Sequence, residues 1–248
     1  MPPALCLRGA VALAGRFPAL AGVDLVAEPG EVVVLAGANG AGKTSVLRVL
    51  AGLLPLSGGE GQVLGVDLRS DRRQVRHLVG MVGHAAALYD ELTVEENVRF
   101  ALRAARGDLG RVGLALEVVG LGGRLRRTPA GRLSAGQRRR VDLAVLVARR
   151  PALWLLDEPH ASLDQAGRAL VDRVIKDAAA GGATVVVASH ELSTVVPMAD
   201  QVVTLGGGRV LEVWRPEGWA EGGAGATSQG QDEAPVVVAG GPGGRDVA

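Results

Sequence analysis

A nine-residue stretch of this sequence, GANGAGKTS at positions 37–45, has the residue types and spacing needed to bind phosphate groups. It satisfies G-x-x-x-x-G-K-[ST] between an apolar run and a helical pattern, which is the context that this motif requires. Glycines let backbone amides turn inward around phosphate oxygens, the Lys43 ammonium can reach terminal phosphates, and the Thr44 hydroxyl can ligate Mg²⁺. We predict nucleotide contacts from Gly37, Ala38, Asn39, Gly40, Ala41, Gly42, Lys43, Thr44 and Ser45.

Two further apolar runs end in residues that could do chemistry. The segment ALWLLDEP at 152–159 ends its run with Asp157 and Glu158. We expect Asp157 to hold Mg²⁺ through water and Glu158 to orient or deprotonate an attacking water, unless the two are only surface acids. His190 follows the run at 184–189. Ligands bind at this edge of a parallel sheet, so we predict a contact with the terminal phosphate, although a lone histidine is more often a surface or core residue.

The segment RLSAGQRRRVDLAVLVARRP at 132–151 reads locally as an ordinary capped helix. Ser134 and Gln137 have the spacing of a capping box, and apolar residues recur at helical spacing until Pro151. These residues by themselves favour a structural role for the segment.

The elements that must position these residues are strands and helices in alternation. Nearly continuous apolar runs at 32–36, 153–157 and 184–189 predict buried parallel strands, and helical patterns follow at 44–53 and 162–180. The sequence therefore predicts an α/β fold over 4–213. We expect an N-terminal β-hairpin within 5–28, a helical subdomain inserted at about 84–150, and a disordered Gly/Ala/Pro-rich tail over 215–248.

The composition argues against several classes of function and location. The net charge of +1 gives no electrostatic case for binding nucleic acid or an anionic membrane surface. The one cysteine, Cys6, cannot form an internal disulfide, and we see neither a secretory signal nor an apolar run long enough to span a bilayer.

The chain resembles the ATP-binding-cassette (ABC) ATPases over roughly residues 5–211. The resemblance is carried by an ordered set of motifs: GANGAGKT, LSAGQ, LWLLDEP, ASLD and SH. The resemblance implies a P-loop NTPase fold with ATP and Mg²⁺ as cofactors. It also implies a head-to-tail dimer with a second ATPase subunit, an integral membrane permease as partner, and peripheral attachment to the cytoplasmic face of the membrane.

The same resemblance assigns roles to the LSAGQ and ASLD segments. Ser134, Gly136 and Gln137 would contact the γ-phosphate of ATP held by the other subunit, at a helix N-terminus suited to anions. Asp164 would communicate across the dimer, although an acid in the first turn of a helix is also explained by the helix dipole.

Two positions depart from the family pattern. His84 occupies the place of a glutamine that contacts Mg²⁺ and the attacking water, so we expect a sensor role with altered pH dependence. The aromatic residue that stacks on adenine would fall near Ala14, and Phe17 is the nearest aromatic. We assign adenine stacking to Phe17 with core packing as the alternative.

Within the family, the chain most resembles the ATPase subunits of haem exporters used in cytochrome c maturation, through Gly83 before His84, the alanine of LSAGQ and the segment LWLLDEP. That resemblance implies coupling to the permease through the surface from His84 to Glu96. The alternatives are an ABC exporter of drug or lipid type, a soluble ABC ATPase acting on ribosomes or DNA, and a P-loop kinase or GTPase, which leaves LSAGQ unexplained.

Overall fold

A computed structural model describes residues 2–83 and 88–216. All of these residues lie in the first of the two compact units into which the chain divides, residues 1–218. His84 and all of the predicted tail except Arg215 and Pro216 fall outside the described residues.

The described part of the chain alternates strands and helices, as the sequence predicts. The strands are β1 (Leu5–Ala14), β2 (Phe17–Ala27), β3 (Val32–Ala36), β4 (Leu56–Val63), β5 (Val66–Asp67), β6 (Val79–Val82), β7 (Leu153–Asp157), β8 (Thr184–Ala188), β9 (Gln201–Gly206) and β10 (Arg209–Trp214). The α-helices are α1 (Lys43–Leu50), α2 (Arg72–Leu78), α3 (Val94–Ala104), α4 (Val112–Val118), α5 (Ala135–Arg149), α6 (Gln165–Ala180) and α7 (Leu192–Val195). Short 3₁₀ turns cover Leu109–Arg111, Leu125–Arg127, Ala130–Arg132 and Val196–Met198.

A six-stranded sheet in the order β10-β9-β3-β8-β7-β6 forms the centre of the fold. All of its strands are parallel except β10, which runs antiparallel to β9. The predicted strands β3, β7 and β8 are neighbours, and every residue in them is buried. The parallel-sheet prediction is confirmed, and the carboxyl ends of β3, β7 and β8 meet at one edge.

A second, antiparallel sheet covers one face of the central sheet. The predicted N-terminal hairpin is β1 paired with β2, and β4 and β5 extend it to the order β2-β1-β4-β5. Residues of β3 alternate between two apolar clusters: Val33 and Leu35 pack towards the antiparallel sheet and α1, whereas Val32 and Val34 pack towards helices α3 to α6. The core is thus split by the sheet into two layers.

Helices α3, α4 and α5 lie between β6 and β7 in the chain, where the inserted helical region was predicted. Two predicted helix boundaries are wrong. Helix α6 begins at Gln165 rather than at Ser162, because the Asp164 carboxylate accepts the Gly167 amide hydrogen bond as N-cap. Helix α1 ends at Leu50, and Gly52 then turns the chain with φ +65°. Among the described residues, none of the helices is long and apolar enough to cross a bilayer.

Candidate nucleotide site

The phosphate-binding loop connects β3 to α1 at the edge where the parallel strands end. Gly37 has φ +133°, and a Cβ there would lie 2.3 Å from the carbonyl oxygen of Leu205, so only glycine fits. Gly42 is the N-cap of α1 with φ +109°. The loop therefore presents its backbone at a helix N-terminus, which carries a partial positive charge.

Lys43 is folded over this loop. Its side chain is only 7% exposed, and Nζ donates hydrogen bonds to the carbonyl oxygens of Gly37 (2.6 Å) and Ala38 (3.2 Å). These contacts hold the Lys43 ammonium beside the loop amides, so both the ammonium and the amides could attract a phosphate group.

The two residues predicted to hold Mg²⁺ contact each other. The Thr44 hydroxyl donates to Oδ2 of Asp157 at 2.9 Å, and the Asp157 carboxylate is buried at the end of β7. Among the described residues no group of three or more His, Cys, Asp or Glu side chains could hold a metal. One hydroxyl and one carboxylate nevertheless suit Mg²⁺, which takes few protein oxygens and completes its shell with phosphate and water.

Glu158 and His190 form a pair that the sequence did not predict. His190 Nδ1 lies 2.8 Å from Oε1 of Glu158, and the Ser189 hydroxyl donates to Oε2 at 3.5 Å. The Glu158 side chain is 15% exposed and that of His190 is 55% exposed. The carboxylate is thus held from the end of β8 while remaining open to the cavity.

These groups line a single cavity of about 580 Å³. Asn39 to Ser45 form one wall, and Asp157, Glu158 and His190 form another. The sequence did not predict the remaining lining residues: Pro18, Ala19, Gly207 and Gly208. Gly37 and Ala38, which were also predicted to contact the nucleotide, do not line the cavity. Their carbonyl oxygens accept the hydrogen bonds of Lys43.

Phe17 lies at the start of β2, next to the lining residues Pro18 and Ala19, but is not itself in the lining. Its side chain is 79% exposed, so the alternative of core packing is wrong. Adenine stacking by Phe17 stays a prediction.

The LSAGQ residues lie away from this cavity. Ser134 is the N-cap of α5: its Oγ accepts from the Gln137 amide at 3.2 Å, and the Gln137 side-chain oxygen accepts from the Ser134 amide at 3.0 Å. The predicted capping box is confirmed. A Cβ on Gly136 would lie 3.0 Å from Leu163 Cδ2 and 3.1 Å from the Ser162 carbonyl oxygen, so this glycine packs closely on the segment before α6.

Arg139, which the sequence analysis did not single out, is the most buried charged side chain of α5, at 6% exposure. Nη2 donates to the Glu158 carbonyl at 3.3 Å and Nη1 donates to the Gly83 carbonyl. Burial lowers the pKa of Arg139, and the negative charges of Asp142, Asp157 and Glu158 oppose that shift. The sequence has three consecutive arginines at 138–140 and does not indicate which of them is buried.

Comparison with known proteins agrees with this geometry. A family model described as ABC transporter matches residues 20–161. The chain is 40% identical over 188 residues to a protein named cytochrome c biogenesis ATP-binding export protein CcmA from Methylococcus capsulatus, covering 75% of this chain and 90% of that protein. It is also 40% identical over 200 residues to the protein of the same name from Rhodopseudomonas palustris, covering 81% of this chain and 96% of that protein.

Among solved structures, a dimeric ATP-binding cassette in a post-hydrolysis state bound to ADP and Pi superposes with a TM-score of 0.77 at 25% identity, covering 87% of this chain and 100% of that one. Together with the matching family model, these similarities leave one conclusion. The chain belongs to the ABC transporter family and is an ATP-hydrolysing ATP-binding cassette.

Proposed function

We propose that this chain is the ATPase subunit of a membrane export complex of cytochrome c biogenesis, with haem as the candidate cargo. The observation that carries the proposal is the 40% identity to CcmA proteins over 90% and 96% of their lengths. We infer that a permease spans the membrane and that this subunit attaches to its cytoplasmic face.

In the proposed mechanism the phosphate-binding loop and Lys43 hold the ATP phosphates. Thr44 and Asp157 would hold Mg²⁺, which when bound neutralises charge on the phosphate oxygens. Glu158 accepts a proton from the attacking water at Oε2, because Oε1 is engaged by His190 at 2.8 Å whereas the contact of Oε2 with the Ser189 hydroxyl is long, at 3.5 Å. His190 is exposed enough to reach the γ-phosphate with its remaining ring nitrogen.

The site is completed by a second ATPase subunit in a head-to-tail dimer. The cavity is lined from this chain by the loop and the strand ends, and none of Ser134, Gly136 and Gln137 reaches it. An exposed, capped helix N-terminus is suited to an anion, so these residues are proposed to contact the γ-phosphate on the partner. Asp164, as N-cap of the next helix, would sense the same interface.

The permease is proposed to dock beside a groove of about 250 Å³ between β6, α3 and α5. Two aromatic side chains lie exposed at this groove, Tyr89 at 51% and Phe100 at 49%, and their rings pack edge to face with centroids 4.9 Å apart. Exposed aromatic clusters are typical of protein interfaces. Leu88 and Tyr89 of this groove belong to the segment 84–96 through which the family resemblance implies coupling.

A complementation experiment tests the assignment. A strain lacking this gene should lose haem-containing c-type cytochromes, detected by haem-dependent peroxidase staining, and regain them with the wild-type chain but not with Lys43→Ala. Phe100→Asp should also fail to restore them while keeping ATPase activity, because only docking is lost. Normal cytochromes in the deletion strain would reject the proposed cargo pathway and leave the ATPase assignment untouched.

A further inference from the structure

We propose that Arg139 is a positioning residue for ATP hydrolysis, holding the backbone of Glu158 so that its carboxylate faces the cavity. The inference rests on the proposed role of Glu158 in activating water. It assigns a function to a buried side chain that does not itself line the nucleotide cavity.

The backbone of Glu158 needs to be held. Its φ is +49°, in the left-handed region that residues other than glycine rarely adopt. The peptide groups on both sides are fixed: the amide donates to the Ala188 carbonyl at 2.9 Å, and the carbonyl accepts from the Ala161 amide at 3.1 Å and from Arg139 at 3.3 Å. Of these contacts, the one from Arg139 is made by a side chain from another element.

Arg139 reaches two strand ends at once. Nη2 contacts the carbonyl of Glu158, which follows β7, and Nη1 contacts the carbonyl of Gly83, which follows the neighbouring strand β6. A planar guanidinium can donate to two carbonyls in fixed directions, whereas a lysine ammonium on a flexible stem cannot reproduce that geometry. The positive charge also lies near the carboxylates of Asp157 and Glu158.

Loss of this contact should change turnover and leave ATP binding intact. Without Arg139, the Glu158 carbonyl loses one of the two hydrogen bonds that it accepts. The left-handed backbone of residue 158 is then held less firmly, and its carboxylate can shift relative to the attacking water. A displacement of about 1 Å at a reacting group can reduce the rate by about 100-fold. We therefore expect Arg139→Met to lower kcat at least ~10-fold while the affinity for a fluorescent ATP analogue changes by less than about twofold, because Arg139 lies outside the cavity lining.

Arg149 provides a matched control on the same helix. It is also partly buried, burial lowers its pKa as well, and Nη2 donates to the Val79 carbonyl at 3.3 Å, at the opposite end of β6. Arg149→Met should lower the melting temperature without a specific fall in kcat. A structural role for Arg139 would make the two variants behave alike.

The experiment measures phosphate release, ATP-analogue binding and thermal unfolding of the full-length chain for Arg139→Met, Arg139→Lys, Arg149→Met and Glu158→Gln. Arg139→Lys keeps the positive charge but not the planar guanidinium that donates to two carbonyls. Its kcat should therefore lie between those of Arg139→Met and wild type. If Arg139→Met does not fold, Arg139→Lys carries the test, and a wild-type kcat would overturn the inference.

The outcomes separate the two proposals. If Glu158→Gln is inactive but Arg139→Met loses no more activity than Arg149→Met, the role of Arg139 alone is wrong. If Glu158→Gln hydrolyses ATP at the wild-type rate, the proposed role of Glu158 fails first and the inference about Arg139 fails with it.

Discussion

Replacing Ser134 by aspartate separates the two roles assigned to the start of α5. In the folded chain the Ser134 side chain accepts the Gln137 amide hydrogen bond at 3.2 Å. Aspartate is an equally good N-cap, and its negative charge at a helix N-terminus contributes about 0.3–1 kcal/mol. The free energy of unfolding of Ser134→Asp should therefore equal or slightly exceed that of the wild type.

ATP turnover should respond in the opposite direction. If the γ-phosphate of a partner's ATP meets this helix terminus, the new carboxylate places two like charges near each other. At about 4 Å and an effective dielectric constant of about 20, each pair of unit charges repels by about 4 kcal/mol, which is close to a thousandfold in rate. ATP binding to the chain's own loop should not change, because Ser134 does not line that cavity.

Helix α3 offers the control, because it begins with the same motif. Thr93 accepts from the Glu96 amide at 3.2 Å, and the Glu96 carboxylate accepts from the Thr93 amide at 2.8 Å. Thr93→Asp should leave turnover unchanged. It should lower stability, because the Thr93 hydroxyl also donates to the Glu96 carboxylate at 2.8 Å and an aspartate there would place two negative charges together. Ser134→Ala should lose about 1 kcal/mol through the missing cap, or roughly 2–4 °C in melting temperature.

Thermal unfolding and phosphate release, measured on these variants, test whether the phosphate of a partner's ATP meets the start of α5. A folded Ser134→Asp protein with wild-type turnover would show that no phosphate reaches this terminus. A loss of stability in Ser134→Asp as large as in Ser134→Ala would show that the cap interpretation is wrong.

Three further predictions follow from the site and the helical region. Asp157→Asn should raise the Mg²⁺ concentration for half-maximal ATPase activity at least ~10-fold; an unchanged Mg²⁺ titration would remove Asp157 from the metal site. Gly37→Ala should destabilise the fold by about 1–3 kcal/mol in urea unfolding, because the added methyl group meets the Leu205 carbonyl; Gly40→Ala, where a Cβ meets nothing within 4 Å, should cost less. The pKa of Glu95 is lowered from 4.5 to about 2, chiefly by its hydrogen bond to Arg126. This stabilisation is present above about pH 4.5 and lost as the pH falls towards 2, so Glu95→Gln should be less stable than wild type at pH 7 and should match it near pH 2; a pH-independent difference would contradict it.

The features predicted correctly from sequence are those encoded by neighbouring residues. The run at 32–36 is apolar at every position, and the glycines and Lys43 follow at fixed spacing, so strand, loop and helix start could be inferred together. The same holds for the run that ends in Asp157. Each signal is contained in about ten residues, within which the chain has little choice of geometry.

The features missed depend on contacts between distant segments. Gly207 and Gly208 line the cavity only because β9 lies beside β3, and sequence spacing gives no sign of that neighbour. The helical pattern in the sequence predicts α6 from Ser162, yet Asp164 caps the helix and α6 begins at Gln165. Ser162 has φ +62°, outside the helical region, and its carbonyl oxygen packs against Gly136 of α5, a contact between segments that are distant in sequence.

That packing also determines which experiment can test the shared site. A substitution at Gly136 would disturb Leu163 and Ser162 of its own chain, so lost activity there would not prove a contact with a partner's ATP. Helix α5 contacts the segment from 158 to 164 through Gly136, which packs on Ser162 and Leu163, and through Arg139, which donates to the Glu158 carbonyl. If the first turn of α5 binds the partner's phosphate, Arg139 in the second turn connects that helix to the backbone of this chain's own proposed water-activating residue. Ser134, whose side chain bonds within its own helix end, is therefore the position at which the contact between subunits can be changed without moving Glu158 directly.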